Sequence, residues 1–223
     1  CTFCVDGSHL VNKVNRFSLE RITKELEYIA QHVPDNIIIL DINDLNFGMH
    51  KRDLEVCNAI VNIKKKYNYP KNVGTSTGKN SKERIIEAIK TLKDSLVLTI
   101  SVQSMDKQVL KNIKRDNMSE EDMLELAPTI KESGLQTRAE VILGLPGDNY
   151  DAHTYTLKTL LNAEIDKILV FSCMLLPGSE MYPQEERKKW SLKSKHRILP
   201  RDFAKLSDGK IILETEEVVI GTE

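Results

Sequence analysis

Residues 36–42 read Asn36-Ile37-Ile38-Ile39-Leu40-Asp41-Ile42. The run is nearly continuous in apolar, mostly β-branched side chains and is too short for a buried helix. That is the pattern of a strand covered on both faces, as in a parallel sheet. Before it, Ser18 is a good N-cap for a helix whose apolar face is Leu19, Ile22, Leu26, Ile29 and Val33, and Pro34-Asp35 breaks that helix. After it come a polar loop and a second helix through Leu54, Cys57, Ile60, Val61 and Ile63.

The same unit recurs along the chain. Residues 73–77 predict a short strand, and Ser81 caps a helix carrying Ile85, Ile86, Ile89 and Leu92. Residues 96–102 predict the next strand. Asp106 caps a short helix, Ser119 with Asp122 opens another in the manner of a capping box, and Gly134 is placed to end it. Strands over 137–143 and 167–173 flank a helix over 151–163, and Leu176-Pro177-Gly178 closes the last unit. Strands alternating with helices make an α/β chain with a parallel sheet. An eight-fold barrel takes about 250 residues; this chain of 223 suits five or six units better. From Pro183 onward the chain is more charged and less regular, so residues 1–182 read as one domain. Residues 183–223 read as a C-terminal extension with a small β segment at 210–213.

Lys and Arg number 32 against 33 Asp and Glu, a net charge of −1, so there is no overall field for nucleic acid or an anionic membrane, and neither partner is expected. Lys64-Lys65-Lys66 and Arg187-Lys188-Lys189 read as solvated faces. No apolar run reaches the roughly 18 residues that cross a bilayer, and no signal peptide is visible. The 4 cysteines are too few for a disulfide scaffold, and Cys57 and Cys173 lie in apolar segments as buried thiols; reducing cytoplasm is the expected location.

Four stretches carry possible chemistry. Cys1-Thr2-Phe3-Cys4 reads as a chance pair, as a thiol–disulfide redox pair, or as part of an iron–sulfur site. Zinc would have to recruit Cys57, Cys173 or scattered histidines, none at ligand spacing. Ser101 and Gln103, two apart, share a face at the end of an apolar strand, where they suit either a ligand or an ordinary strand-to-loop transition. Glu140-Val141-Ile142-Leu143-Gly144-Leu145-Pro146-Gly147-Asp148 ends a strand in a tight turn and is no phosphate loop. Asp41-Ile42-Asn43-Asp44-Leu45-Asn46-Phe47-Gly48 suits Asx-turns or a polar ligand.

Taken in order, C-x-x-C with an aromatic before the last cysteine, Asp-x-Asn-Phe-Gly, Ser-x-Gln-Ser-Met-Asp, Ile-x-Gly-Leu-Pro-Gly-Asp and Leu-Pro-Gly-Ser-Glu resemble the radical S-adenosylmethionine (radical SAM) superfamily. The branch most resembled has its catalytic domain after a cobalamin-binding domain. The resemblance runs from Cys1 to about Glu180. It implies a partial (β/α)6 TIM-type barrel whose first strand precedes Cys1. Cys1 and Cys4 match the second and third cysteines of C-x-x-x-C-x-x-C, so the first would lie four residues before Cys1.

It also implies three cysteines holding a [4Fe–4S] cluster that cleaves SAM to a 5′-deoxyadenosyl radical, which takes a hydrogen from a small-molecule or peptide substrate. The electron donor would be a flavodoxin or ferredoxin. Cobalamin from an upstream domain and methyl transfer belong to the same implication, with ring formation as the other outcome. By position Phe3 would lie near cluster and adenine, and Asp44 and Asn46 would meet the SAM amino group. Ser101, Gln103 and Glu140 would line the ribose or carboxylate region, Ile142 and Gly144 would wall the adenine, and Leu176 would approach it from the last strand. Arg138 would either pair with the SAM carboxylate or face solvent, and Asp148 stands where the family often has Glu. Two other readings stand beside this one: a thiol–disulfide oxidoreductase using Cys1 and Cys4, and a non-catalytic barrel remnant.

Overall fold

A computed structural model describes residues 1–6, 15–77, 82–117, 119–132, 134 and 136–222. Its core is a five-stranded sheet of β1 (Ile39–Phe47), β2 (Asn72–Thr77), β3 (Leu96–Gln103), β4 (Gln136–Leu143) and β5 (Lys167–Ser172). The strands lie in chain order and every neighbouring pair is parallel. Helix α1 (Leu19–His32) precedes them, and α2 (Lys51–Tyr67), α3 (Lys82–Leu92), α4 (Lys107–Asn112), α5 (Glu120–Glu132) and α6 (Tyr150–Asn162) fall between them. This is the α/β, barrel-type order that the repeated units predict.

The helices cover one face of the sheet. Leu26, Ile60, Ile63, Ile85 and Ile89 pack on Val73 and Leu96, and Leu40 and Ile42 pack against them. Met123 and Leu160 pack on Val102, Ala139 and Val141. Successive strand residues point to opposite faces, so Ser101, Glu140 and Ile142 turn to the other side, where burial is only partial. That open face and the C-terminal strand ends above it are where parallel α/β sheets place their sites.

Residues 36–42 depart from expectation. The strand begins only at Ile39, and Ile37, Ile38 and Ile39 are 46%, 46% and 47% exposed. The reason is topological: β1 is an edge strand in this sheet, and helices cover only its Leu40–Ile42 side. An apolar run reports the demand for cover, not what supplies it.

Local capping agrees with the sequence. Ser18 accepts from Arg21 N at 3.1 Å, and Asp106 accepts from Gln108 N and Val109 N at 2.9 and 2.8 Å. Ser119 Oγ accepts from Asp122 N at 3.0 Å, and Gly134, just past α5, has φ +67°. The cap expected at Ser81 lies outside the described residues.

Beyond β5 the chain is more regular than expected. After α7 (Gln184–Lys189), β6 (Lys193–Lys205) and β7 (Ile211–Gly221) form an antiparallel hairpin in place of the short segment at 210–213. Its base is fixed by Arg187, which grips Glu217 with two bonds of 2.6 and 3.0 Å. Its end joins the main fold: Met174 bridges Val218, and Val218 and Val219 are each 7% exposed.

Candidate active site

The cysteine stretch is held from two sides. Thr2 N donates to Ile113 O at the end of α4 (3.0 Å), and Met181 N, in the loop after β5, donates to Thr2 O (3.1 Å). Phe3 packs against the cluster of Val109, Ile113, Leu145, Leu175, Met181 and Val219. Cys1 and Cys4 are partly exposed thiols outside any disulfide, whereas Cys57 and Cys173 are buried, as expected. Cys4 Sγ donates to Asp6 Oδ2 at 3.6 Å.

Arg115 ties this stretch to the end of β3. It is only 8% exposed. Its Nη1 donates to Cys1 Sγ at 3.4 Å, its Nη2 to the carbonyl of Ser101, and its Nε to Asn117 Oδ1 at 2.7 Å. Burial pushes its pKa down to about 10, with Cys4 and Glu140 pulling the other way. At that value the guanidinium is charged at neutral pH, so a buried cation stands beside the cysteine stretch.

Asn117 completes the frame, its Nδ2 donating to Val102 O (2.6 Å) and Ser104 O (2.8 Å). Between those two carbonyls lies Gln103 with φ +65°, rare for a non-glycine residue. Ser104 N donates to Val102 O across it at 2.7 Å, the hydrogen-bond pattern of a γ-turn whose positive-φ form is strained. The β3–β4 register breaks at the same place. Gln103 is 9% exposed and its Oε1 has no partner among the described residues. A strained turn, held by two side chains, thus carries a buried acceptor that no described residue satisfies. An uncompensated amide of this kind costs about 1–3 kcal/mol, and such strain concentrates where a ligand is held.

Ser101 and Glu140 are partners in the β3–β4 register, and Ser101 Oγ donates to Glu140 Oε2 at 2.7 Å. Ile142, further along β4, packs half-buried on the Phe3 cluster. Past the strand, Gly144 has φ +86° and its N–H donates to Asp148 Oδ2 at 2.9 Å. Asp148 is 6% exposed, and burial raises its pKa. Leu176, half-buried, accepts at its carbonyl from Ser179 N at 3.0 Å.

The structure therefore gathers Cys1, Ser101, Gln103 and Glu140 around Arg115, with Phe3 and Ile142 on one apolar cluster beside them. It does not join Asp44 and Asn46 to this group. Asp44 Oδ1 accepts from Asn46 N at 2.8 Å, the Asx-turn, and Asp44 lines a separate cavity of about 300 Å³ between α1, β1 and α2. Ser104 and Asp106 of the Ser-x-Gln-Ser-Met-Asp stretch serve the fold: Ser104 Oγ accepts from Asp106 N, and Asp106 caps α4. Arg115 and Asn117 went unread, because Arg115-Asp116-Asn117 looks like any polar loop in sequence.

Cys1 and Cys4 beside a buried cation suit an iron–sulfur centre, whose ligands are thiolates. They would be two of its ligands, since among the described residues no group of three or more His, Cys, Asp or Glu side chains could hold a metal ion.

Residues 1–160 match the family model described as the radical SAM superfamily. The chain is 29% identical over 198 residues to the cobalamin-dependent radical SAM methyltransferase TokK of Streptomyces tokunonensis. It is 30% identical over 198 residues to a 2-(S-pantetheinyl)-carbapenam-3-carboxylate methyltransferase of Streptantibioticus cattleyicolor. Each alignment covers 87% of this chain and 29% of the relative, so the chain spans under a third of these curated proteins. Among solved structures, the radical SAM methyltransferase TsrM of Kitasatospora setae shares the fold at TM-score 0.70 and 14% identity, over 91% of this chain and 39% of that one.

Proposed function

This chain belongs to the radical SAM superfamily, and from that premise we propose that it is the catalytic barrel of an enzyme that cleaves SAM reductively to generate a radical on its substrate. The observation that carries the reading is Arg115, a buried cation joining Cys1 to the Ser101–Glu140 pair, with Gln103 two residues further along β3 and its Oε1 without a partner among the described residues. When bound, a [4Fe–4S] cluster supplies the electron that breaks the C5′–S bond of SAM.

The chain's own residues bind, orient and exclude water. Cys1 and Cys4 would supply two of the thiolates that hold the cluster. Arg115 holds Cys1 in place and offers positive charge to the SAM carboxylate. Gln103 Oε1 accepts from a ribose hydroxyl or the amino group, and Ser101 fixes the rotamer of Glu140 for the same region. Phe3, Ile142, Gly144 and Leu176 form the apolar and backbone wall against adenine, which keeps a reactive radical from water.

The two methyltransferase relatives support methyl transfer as the overall reaction, with cobalamin held by a domain outside these residues. The substrate is then a small molecule or peptide reached across the open sheet face, and a flavodoxin or ferredoxin delivers the electron. Among the described residues no helix is long and apolar enough to cross a membrane.

The test is metal content. Full-length protein prepared without oxygen should be brown with about four irons, and Cys1→Ala or Cys4→Ala should lose them. Colourless protein with intact cysteines would overturn the reading.

A further inference from the structure

The C-terminal hairpin does more than extend the fold. Its last residues lie against the turn that follows β4. A Cβ placed on Gly144 would sit 3.3 Å from Val219 Cγ1, tighter than most such contacts, so Val219 packs closely on that backbone. Thr222 Oγ1 donates to Asp148 O at 2.9 Å, at the other end of the same turn. Asp148 Oδ2 meanwhile accepts from Gly144 N. The turn is therefore clamped across its mouth by Asp148 and from outside by β7.

The clamp is anchored on both sides. Val219 N donates to Cys173 O (2.8 Å) and Leu175 N to Glu217 O (2.9 Å), which adds the end of β7 to the chain leaving β5. Glu217 is held in turn by Arg187 and by Ser194 Oγ at 2.5 Å. Val219 shares its apolar cluster with Leu145 and Cys173, and Phe3 and Ile142 pack on the same cluster. Val219 thus packs on the Gly144 turn and belongs to the cluster on which Phe3 of the cysteine stretch rests. Val218 beside it has the same 7% exposure but faces elsewhere, bridging Met174.

We propose that Val219 and Thr222 are positioning residues for the SAM nucleoside: β7 holds the Gly144–Asp148 turn in the shape that receives it. The inference rests on the proposed function, since it takes the Gly144 turn as the adenine wall. It makes the hairpin part of the site's frame, so that motion of the hairpin changes affinity for the nucleoside.

The experiment is calorimetric titration of full-length, cluster-loaded protein with S-adenosylhomocysteine. Three variants are compared: Val219→Ala, Thr222→Val and, as the control for stability, Val218→Ala. The two valine variants should melt lower by similar amounts. Val219→Ala and Thr222→Val should bind about fivefold more weakly, the effect of one lost contact or hydrogen bond, and Val218→Ala should bind as the parent does. Equal affinity in all, or weakening that merely follows the loss of stability in all three, would overturn the proposal. A parent protein that holds its irons yet binds no S-adenosylhomocysteine would instead overturn the SAM reading on which it rests.

Discussion

Arg115 Nη1 stands 3.4 Å from Cys1 Sγ while its Nη2 holds the carbonyl of Ser101, so one guanidinium spans the cysteine stretch and the end of β3. A lysine has one nitrogen and cannot reproduce that three-way fork. Arg115→Lys should therefore weaken S-adenosylhomocysteine binding by about tenfold or more, with Arg115→Ala no better. Titration of both variants checks this, and parent-like affinity in Arg115→Lys would show that charge alone suffices.

The cysteines should divide by reactivity. Burial pushes the thiols of Cys57 and Cys173 up to about 12, so neither carries appreciable thiolate near pH 8. In folded, cluster-free protein iodoacetamide should label Cys1 and Cys4 and leave the other two until denaturant is added. Mass spectrometry of the labelled peptides decides it. In the same sense Cys4→Ala should abolish SAM cleavage and Cys173→Ala should not.

Asp148 gives a pH signature. Burial raises its pKa above the usual carboxylate value. A raised folded-state pKa means that the protonated form favours the fold; this contribution is present at low pH and is lost as pH rises through the folded-state value. Asp148→Asn keeps an acceptor for Gly144 N without the charge. Its stability relative to the parent should therefore rise between about pH 4 and pH 7. Denaturant midpoints at the two values test it, and a constant or falling difference would contradict the burial argument.

The Arg187–Glu217 pair, with side chains 14% and 15% exposed, fixes the hairpin's base. Breaking a pair this sheltered strands a charge and costs about 3 kcal/mol. Arg187→Ala should speed amide exchange in β6 and β7 while leaving β1 to β5 protected. Uniform loss of protection would mean that the hairpin and the sheet unfold as one unit.

Much of this was legible before the fold. Asp106 and Ser119 cap helices from local chemistry alone, and each buried strand announces itself by composition. Ser101 and Gln103 could be read because they end an apolar strand, where polar groups stand out, and Glu140 only through the order of the motifs. Arg115 and Asn117 could not, because their targets at Ser101, Val102 and Ser104 are reached only after α4 doubles the chain back. The hairpin was missed for a related reason. Residues 193–205 carry charges at irregular spacing, and these make sense only opposite Glu216 and Glu217, which pair with Arg197 and His196 across the strands. Ile37, Ile38 and Ile39 misled in the opposite direction, since composition does not say on which side of an edge strand a neighbour lies.

The most direct measurement is of 5′-deoxyadenosine, by chromatography, from full-length protein reconstituted without oxygen and given SAM, a strong reductant and candidate substrates. The account predicts that it forms, and that it disappears in Cys1→Ala and Cys4→Ala. SAM recovered intact from protein carrying its full iron complement would contradict it.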